Sequence, residues 1–175
     1  MKVLFKVYRY SREPEFLAGN SLIYSLKQDN RRDVKELLSE ELIKVIAPSI
    51  NQEKLEEYLI TSVPRRKEGL VKFGYDHARD LATLVAKALG IEYKQLLISL
   101  SRKAQKETAG RDRILNARFD YKVGKNYSLK GKRVIIIDDI ITTGASMGSC
   151  ASLIKGLYAK EVIGAAIAIA YKDNF

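Results

Sequence analysis

The chain has 175 residues, 46% hydrophobic and 30% charged, enough to bury one core with the balance of a water-soluble globular domain. One cysteine, Cys150, and one histidine, His77, exclude an internal disulfide framework and a cysteine-based zinc cluster. The formal charge of +10 suits an anionic partner without choosing among nucleic acid, polyphosphate and phosphorylated metabolite, and a lysine-rich thermophile surface would look the same.

Val3, Phe5 and Val7 alternate with other residues and predict an opening strand to about residue 10. The start of the chain is too short and too interrupted by lysine for a signal peptide, and no apolar run approaches the ~20 residues of a membrane span, so a cytoplasmic location is expected. Residues 21–28 suggest a short helix with Leu22, Ile23 and Leu26 on one face. Asp33 is a fair cap for a second helix, in which Val34, Leu37, Leu38, Leu42, Val45 and Ile46 recur at helical spacing until Pro48. A strand is expected over 58–63, followed by the cationic loop Pro64-Arg65-Arg66-Lys67-Glu68-Gly69. Ala78, Leu81, Ala82, Val85, Ala88 and Leu89 mark a helix that Gly90 ends. His77 reads as a partly exposed residue at its start. Residues 96–98 form an apolar strand; from 101 to about 126 the periodicity dissolves into basic residues, a length that is usually functional when it interrupts a compact domain.

The chain then gathers around residues 134–146. Val134-Ile135-Ile136-Ile137 is the unbroken β-branched run of a strand buried on both faces of a parallel sheet. Asp138 and Asp139 sit where that strand should end. The turn Thr142-Thr143-Gly144-Ala145-Ser146 follows, and then a helix with Met147, Ala151, Ile154 and Tyr158 on its apolar stripe. Ligands of open α/β sheets bind outside the carboxyl ends of the strands. Backbone N–H groups at a helix start favour a phosphate, whereas the carboxylates suit vicinal hydroxyls or a hydrated Mg²⁺. A phosphate beside a diol is a sugar phosphate. Cys150 lies beside the core stripe and reads as packing. A last strand over 162–171 completes a strand–helix alternation, so the sheet should be parallel.

Residues 138–146 resemble the ribose-phosphate loop of the type I phosphoribosyltransferases. The resemblance implies an α/β fold, a mainly parallel twisted sheet flanked by helices with a small N-terminal helical hood. It implies binding of phosphoribosyl pyrophosphate (PRPP) with Mg²⁺, Asp138 and Asp139 acting on the ribose hydroxyls and the metal, and Thr142, Thr143, Gly144, Ala145 and Ser146 on the 5′-phosphate. It places Arg65, Arg66 and Lys67 on the leaving pyrophosphate, a task that suits cations, guanidinium above all. It makes residues 102–118 a lid, with Arg102, Lys103 and Lys106 as catalytic candidates and Gln105 beside them; a solvated basic segment is the competing reading. Tyr24-Ser25-Leu26-Lys27 with the helix that follows over 31–46 resembles the segment before the core of the ComF-like members, and Ser62-Val63-Pro64, Gly74-Tyr75-Asp76-His77-Ala78 and the series Arg102, Gln105, Arg113, Asn116, Phe119 are similar to their signatures. Two departures stand out: the four-cysteine module of many such proteins is absent, and Phe73 replaces an arginine.

A single domain of residues 1–175 is expected, with 1–50 as hood or extension and 51–175 as core. Its expected activity is Mg²⁺-dependent phosphoribosyl transfer to an unidentified nitrogen acceptor. The alternative is a non-enzymatic protein, either a competence-related nucleic-acid binder, for which single-stranded DNA is the natural partner, or a PRPP-sensing regulator. A homo-oligomer is compatible with either. Tyr171 is read equally as a nucleobase-stacking residue or an aromatic cap on the core.

Overall fold

A computed structural model describes residues 2–10, 17–100, 119–124 and 126–170. In chain order the elements are β1 (Lys2–Tyr10), α1 (Leu17–Gln28), α2 (Arg32–Ile46), β2 (Tyr58–Ser62), α3 (Lys67–Phe73), α4 (His77–Leu89), β3 (Leu97–Ser99), β4 (Phe119–Tyr121), β5 (Arg133–Ile141), α5 (Ala145–Gly156) and β6 (Glu161–Ala170). Four strands form one sheet in the order β1-β6-β5-β2, every neighbouring pair parallel. This is the expected parallel α/β sheet.

The isoleucine run of β5 is explained by what covers it. Ile135 and Ile137 face a core shared with α1, α2 and α4, while Val134 and Ile136 face a second core beneath α5. With helices on both faces, no alternation with polar residues is needed. Burying each such side chain contributes roughly 1.5–3 kcal/mol. Strand β6 is mostly alanine and isoleucine for the same reason, and it lies between β1 and β5. Helix α4 begins with Asp76, whose carboxylate accepts the Arg79 amide at 3.2 Å, and ends at Gly90 with φ +67°. An L side chain is disfavoured in that left-handed conformation, hence the glycine.

Several expectations are corrected. The strand expected over 96–98 is β3, which leaves the main sheet and pairs antiparallel with β4, leaving Ile98 exposed. What runs beside β2 is the segment before it: Ile60 bridges Tyr93, and the Ile60 amide donates to the Glu92 carbonyl at 2.9 Å. The second helix starts with Arg31 at the cap position; Asp33 falls in its first turn, where a carboxylate still complements the helix dipole. The loop predicted over 64–69 is cut short by α3, which begins at Lys67. Tyr158 lies past the end of α5 with φ +66° and is exposed, so the buried stripe of that helix is Met147, Ala151 and Ile154, with Cys150 and Leu153. The Cys150 thiol is pushed up by burial, as a packing role requires. Residues 101–118, which include Arg102, Lys103, Gln105 and Lys106, and Tyr171 lie outside the described residues. Among the described residues no helix is long and apolar enough to cross a membrane.

Candidate functional site

At the carboxyl end of the sheet, β5 delivers Asp138 and Asp139 to opposite faces. Asp138 follows the parity of Val134 and Ile136 and lies toward α5, where its charge acts on Cys150. Asp139 follows Ile135 and Ile137 toward the α1 and α4 side. Each carboxylate accepts the next residue's amide, Asp139 N–H to Asp138 at 2.9 Å and Ile140 N–H to Asp139 at 2.7 Å. These bonds turn both groups back over the strand end. Desolvation, and secondly the charge of Asp139, push the Asp138 carboxyl well above the usual carboxylate range. Two acids this close cannot both ionise freely without a cation.

The turn after β5 runs through Gly144, whose φ is +73°, and α5 begins at Ala145. The Thr143 hydroxyl accepts the Ala145 amide at 3.4 Å, and the Gly148 amide donates to the Gly144 carbonyl at 2.8 Å. Thr142, Thr143 and Ala145 are exposed, while Gly144 and Ser146 are half-buried. The predicted turn therefore presents a helix N-terminus to solvent beside the acidic pair.

Across from it, the Val63 amide donates to the Ile137 carbonyl at 3.0 Å and carries the pairing one residue beyond β2. That bond sets Val63 and Pro64 against β5 and brings Arg65 to the site. Arg65 donates to the Tyr75 carbonyl at 2.9 Å. Val63, Pro64, Arg65, Asp76, His77, Ala78, Asp138, Asp139 and Ser146 together line a pocket of about 180 Å³. Of the three cations predicted in this loop only Arg65 lines it; Arg66 caps α3 and Lys67 opens that helix, both exposed.

Two participants were missed. Lys27, in the last turn of α1, places Nζ 3.5 Å from Asp139 Oδ2, so the N-terminal helix supplies a cation to the acidic pair. Nothing local to residue 27 indicates this. His77, expected to be partly exposed, is 1% exposed. Burial, and secondly the Arg65 charge, lower its pKa, which keeps the ring neutral. The signal available was its place between the helix-capping Asp76 and the first apolar residue of α4. A larger cleft of about 660 Å³ adjoins at Asp76, between α2 and α4, and is lined by Arg32, Lys35, Tyr75 and Arg79 among others. Lys35 pairs there with Asp80 at 3.0 Å.

Among the described residues no group of three or more His, Cys, Asp or Glu could enclose a metal. Two adjacent carboxylates at an open strand end fit instead a Mg²⁺ that keeps water and substrate oxygens in its octahedron.

A parallel sheet whose acidic strand end leads through a glycine turn into a helix N-terminus, facing an arginine, defines an α/β protein with its candidate site at the carboxyl edge of the sheet. The family model described as the phosphoribosyl transferase domain matches residues 76–173, more than half of the chain, and the chain belongs to that family. It is 37% identical over 90 residues to a ribose-phosphate pyrophosphokinase of Saccharolobus solfataricus; the match covers 51% of this chain and 27% of that protein's length. The chain thus spans about a quarter of this curated relative. Among solved structures it is similar to a purine phosphoribosyltransferase from Pyrococcus horikoshii Ot3, with 21% identity, 94% of this chain and 78% of that one covered, and a TM-score of 0.43. A hypoxanthine phosphoribosyltransferase from Trypanosoma cruzi matches with 12% identity over 82% of this chain and 76% of that one, at a TM-score of 0.49.

Proposed function

We propose that the protein binds PRPP with Mg²⁺ and transfers its phosphoribosyl group to a nitrogen acceptor, releasing pyrophosphate. The observation that carries this reading is the convergence of three groups on one pocket: the acidic pair of β5, the start of α5, and Arg65. Residues 142–146 would hold the 5′-phosphate on the N-terminus of α5. Asp138 and Asp139 would engage the ribose hydroxyls and hold the metal. When bound, Mg²⁺ neutralises charge on the phosphate oxygens. Arg65 would stabilise the leaving group as the C1–O bond breaks, its electron pair departs with pyrophosphate, and the acceptor nitrogen bonds to C1 and loses its proton. Arg66 and Lys67 stand further out and would act on approach through their field.

PRPP should raise the melting temperature when Mg²⁺ is present and leave it unchanged in EDTA, because a ligand of the native state stabilises by mass action. Thermal shift at millimolar ligand tests this. A response to single-stranded DNA with none to PRPP would favour the nucleic-acid reading.

Gly69 gives a finer test. A Cβ built there falls 2.9 Å from Arg65 Nε and 3.3 Å from its Cγ, so the flexible arginine must yield rather than the backbone. Alanine also has the better helix propensity, by about 1 kcal/mol. Gly69→Ala should therefore keep or raise the melting temperature while weakening pyrophosphate binding several-fold in titration calorimetry. Unchanged pyrophosphate affinity would remove Arg65 from the leaving-group site.

A further inference from the structure

Among the described residues His77 is the one side chain with two buried nitrogens that both lack a hydrogen-bond partner; single atoms of Asn30, Ser99 and Arg133 share that lack. Both ring nitrogens are shielded from solvent, and neither has a hydrogen-bond partner among the described residues. The ring lines the small pocket with Arg65, Asp138 and Asp139. Its aromatic neighbour Tyr75 lies 6.2 Å away between ring centroids, tilted by 35°, and that contact satisfies neither nitrogen. A buried donor and acceptor left unmade cost stability, and an apolar side chain of similar size would avoid the cost. The orphaned ring therefore calls for a ligand.

We infer that His77 is a binding residue for the substrate's diphosphate group, its ring N–H donating to a phosphoryl oxygen. Three features of its surroundings select that chemistry, and the inference rests on the phosphoribosyl reading above. First, His77 opens α4, a helix of 13 residues; the Asp76 carboxylate, which also lines the pocket, caps the Arg79 amide, and the amides of His77 and Ala78 remain beside the ring to favour an anion. Second, Arg65 enters the same pocket, and a guanidinium beside an imidazole N–H makes a donor pair for phosphoryl oxygens. Third, the adjacent carboxylates Asp138 and Asp139 repel a bare phosphate but accept the cation that accompanies a diphosphate. The ring acts as a neutral donor. Burial first and the Arg65 charge second disfavour its protonation, against the opposing charges of Asp139 and Asp80. Phosphoryl transfer is not implied, and no bond forms at the ring.

Because the chain holds one histidine, the imidazole of tag-free protein is a single unambiguous NMR probe. Titrating inorganic pyrophosphate with Mg²⁺ should shift the ring ¹⁵N and ¹³C signals along the same isotherm as the rise in melting temperature. His77→Leu should melt higher than the parent without ligand and lose at least tenfold in pyrophosphate affinity. His77→Gln, which keeps a side-chain N–H, should retain most of it. An imidazole signal that stays fixed while pyrophosphate stabilises the protein would overturn the inference and leave the phosphoribosyl reading standing. A parent protein that responds to neither pyrophosphate nor PRPP would overturn both.

Discussion

Replacing Asp138 and Asp139 together by Asn should weaken Mg²⁺-dependent PRPP binding by tenfold or more, which corresponds to about 1.4 kcal/mol. Side-chain volume and hydrogen-bonding capacity survive, so only charge is removed. The amide bonds from Asp139 and Ile140 to the two side chains can persist through the Asn carbonyls. The fold should keep its stability or gain. One loss is the ion pair between Asp139 and Lys27, partly exposed and worth roughly 0–1 kcal/mol. Against it stands relief of the buried charge of Asp138, whose carboxyl is held up first by desolvation and secondly by the neighbouring Asp139.

The sign of the pH dependence follows. A raised native pKa means that, as pH climbs past the ordinary Asp value of about 3.9, the unfolded chain releases a proton that the native state retains. The Asp138 contribution then lowers stability with rising pH, until pH passes the raised native value. Parent and single Asp138→Asn variant should diverge least near the acid end, with the variant gaining as pH rises through that window. Melting curves at stepped pH without divalent ions check it. Titration calorimetry decides the functional half: unchanged PRPP affinity in a folded double variant would sink the role of the acidic pair. On the nucleic-acid reading, single-stranded DNA affinity measured alongside should stay level or strengthen as two negative charges leave a basic protein.

Gly144→Val should abolish most 5′-phosphate affinity by a purely backbone route. At φ +73°, a β-branched residue meets its own backbone, at about 1–2 kcal/mol for the left-handed conformation. The added Cβ itself meets no external clash, since it would approach nothing closer than Ile141 Cγ2 at 4.0 Å. The turn therefore yields by rotating toward negative φ. That rotation swings the amides of Ala145 and Ser146 away from the direction the start of α5 gives them. PRPP affinity should fall tenfold or more, and the melting temperature by roughly 2–8 °C for a chain of this size. Gly144→Asn, whose short polar side chain tolerates the left-handed region, should fall between parent and valine variant. Wild-type affinity in Gly144→Val would place the phosphate elsewhere.

What could be read along the chain was the set of signals that neighbours in sequence create by themselves. The run 134–137 required cover on both faces, and it has it. The residues 138–146 joined a strand end, a glycine-containing turn and a helix start within nine positions, so their juxtaposition needed no fold to assemble it. The stripe of α4 and its glycine stop were equally local.

Tertiary structure decided everything that depends on a partner distant in sequence. A short apolar segment such as 96–98 has the same pattern whether it joins a parallel sheet or an antiparallel pair, and here the β4 strand took it. Helix α3 is seven residues long and carries too little periodicity to announce itself, yet its start takes Arg66 and Lys67 out of the pocket that Arg65 enters. Lys27 meets Asp139 across 112 positions, because α1 packs over the carboxyl end of the sheet. The burial of His77 has the same origin: its position at a helix start was visible, but the walls of its pocket come from the segment after β2, from β5 and from α5. Local periodicity selects the elements; long-range burial and charge decide which of their side chains meet.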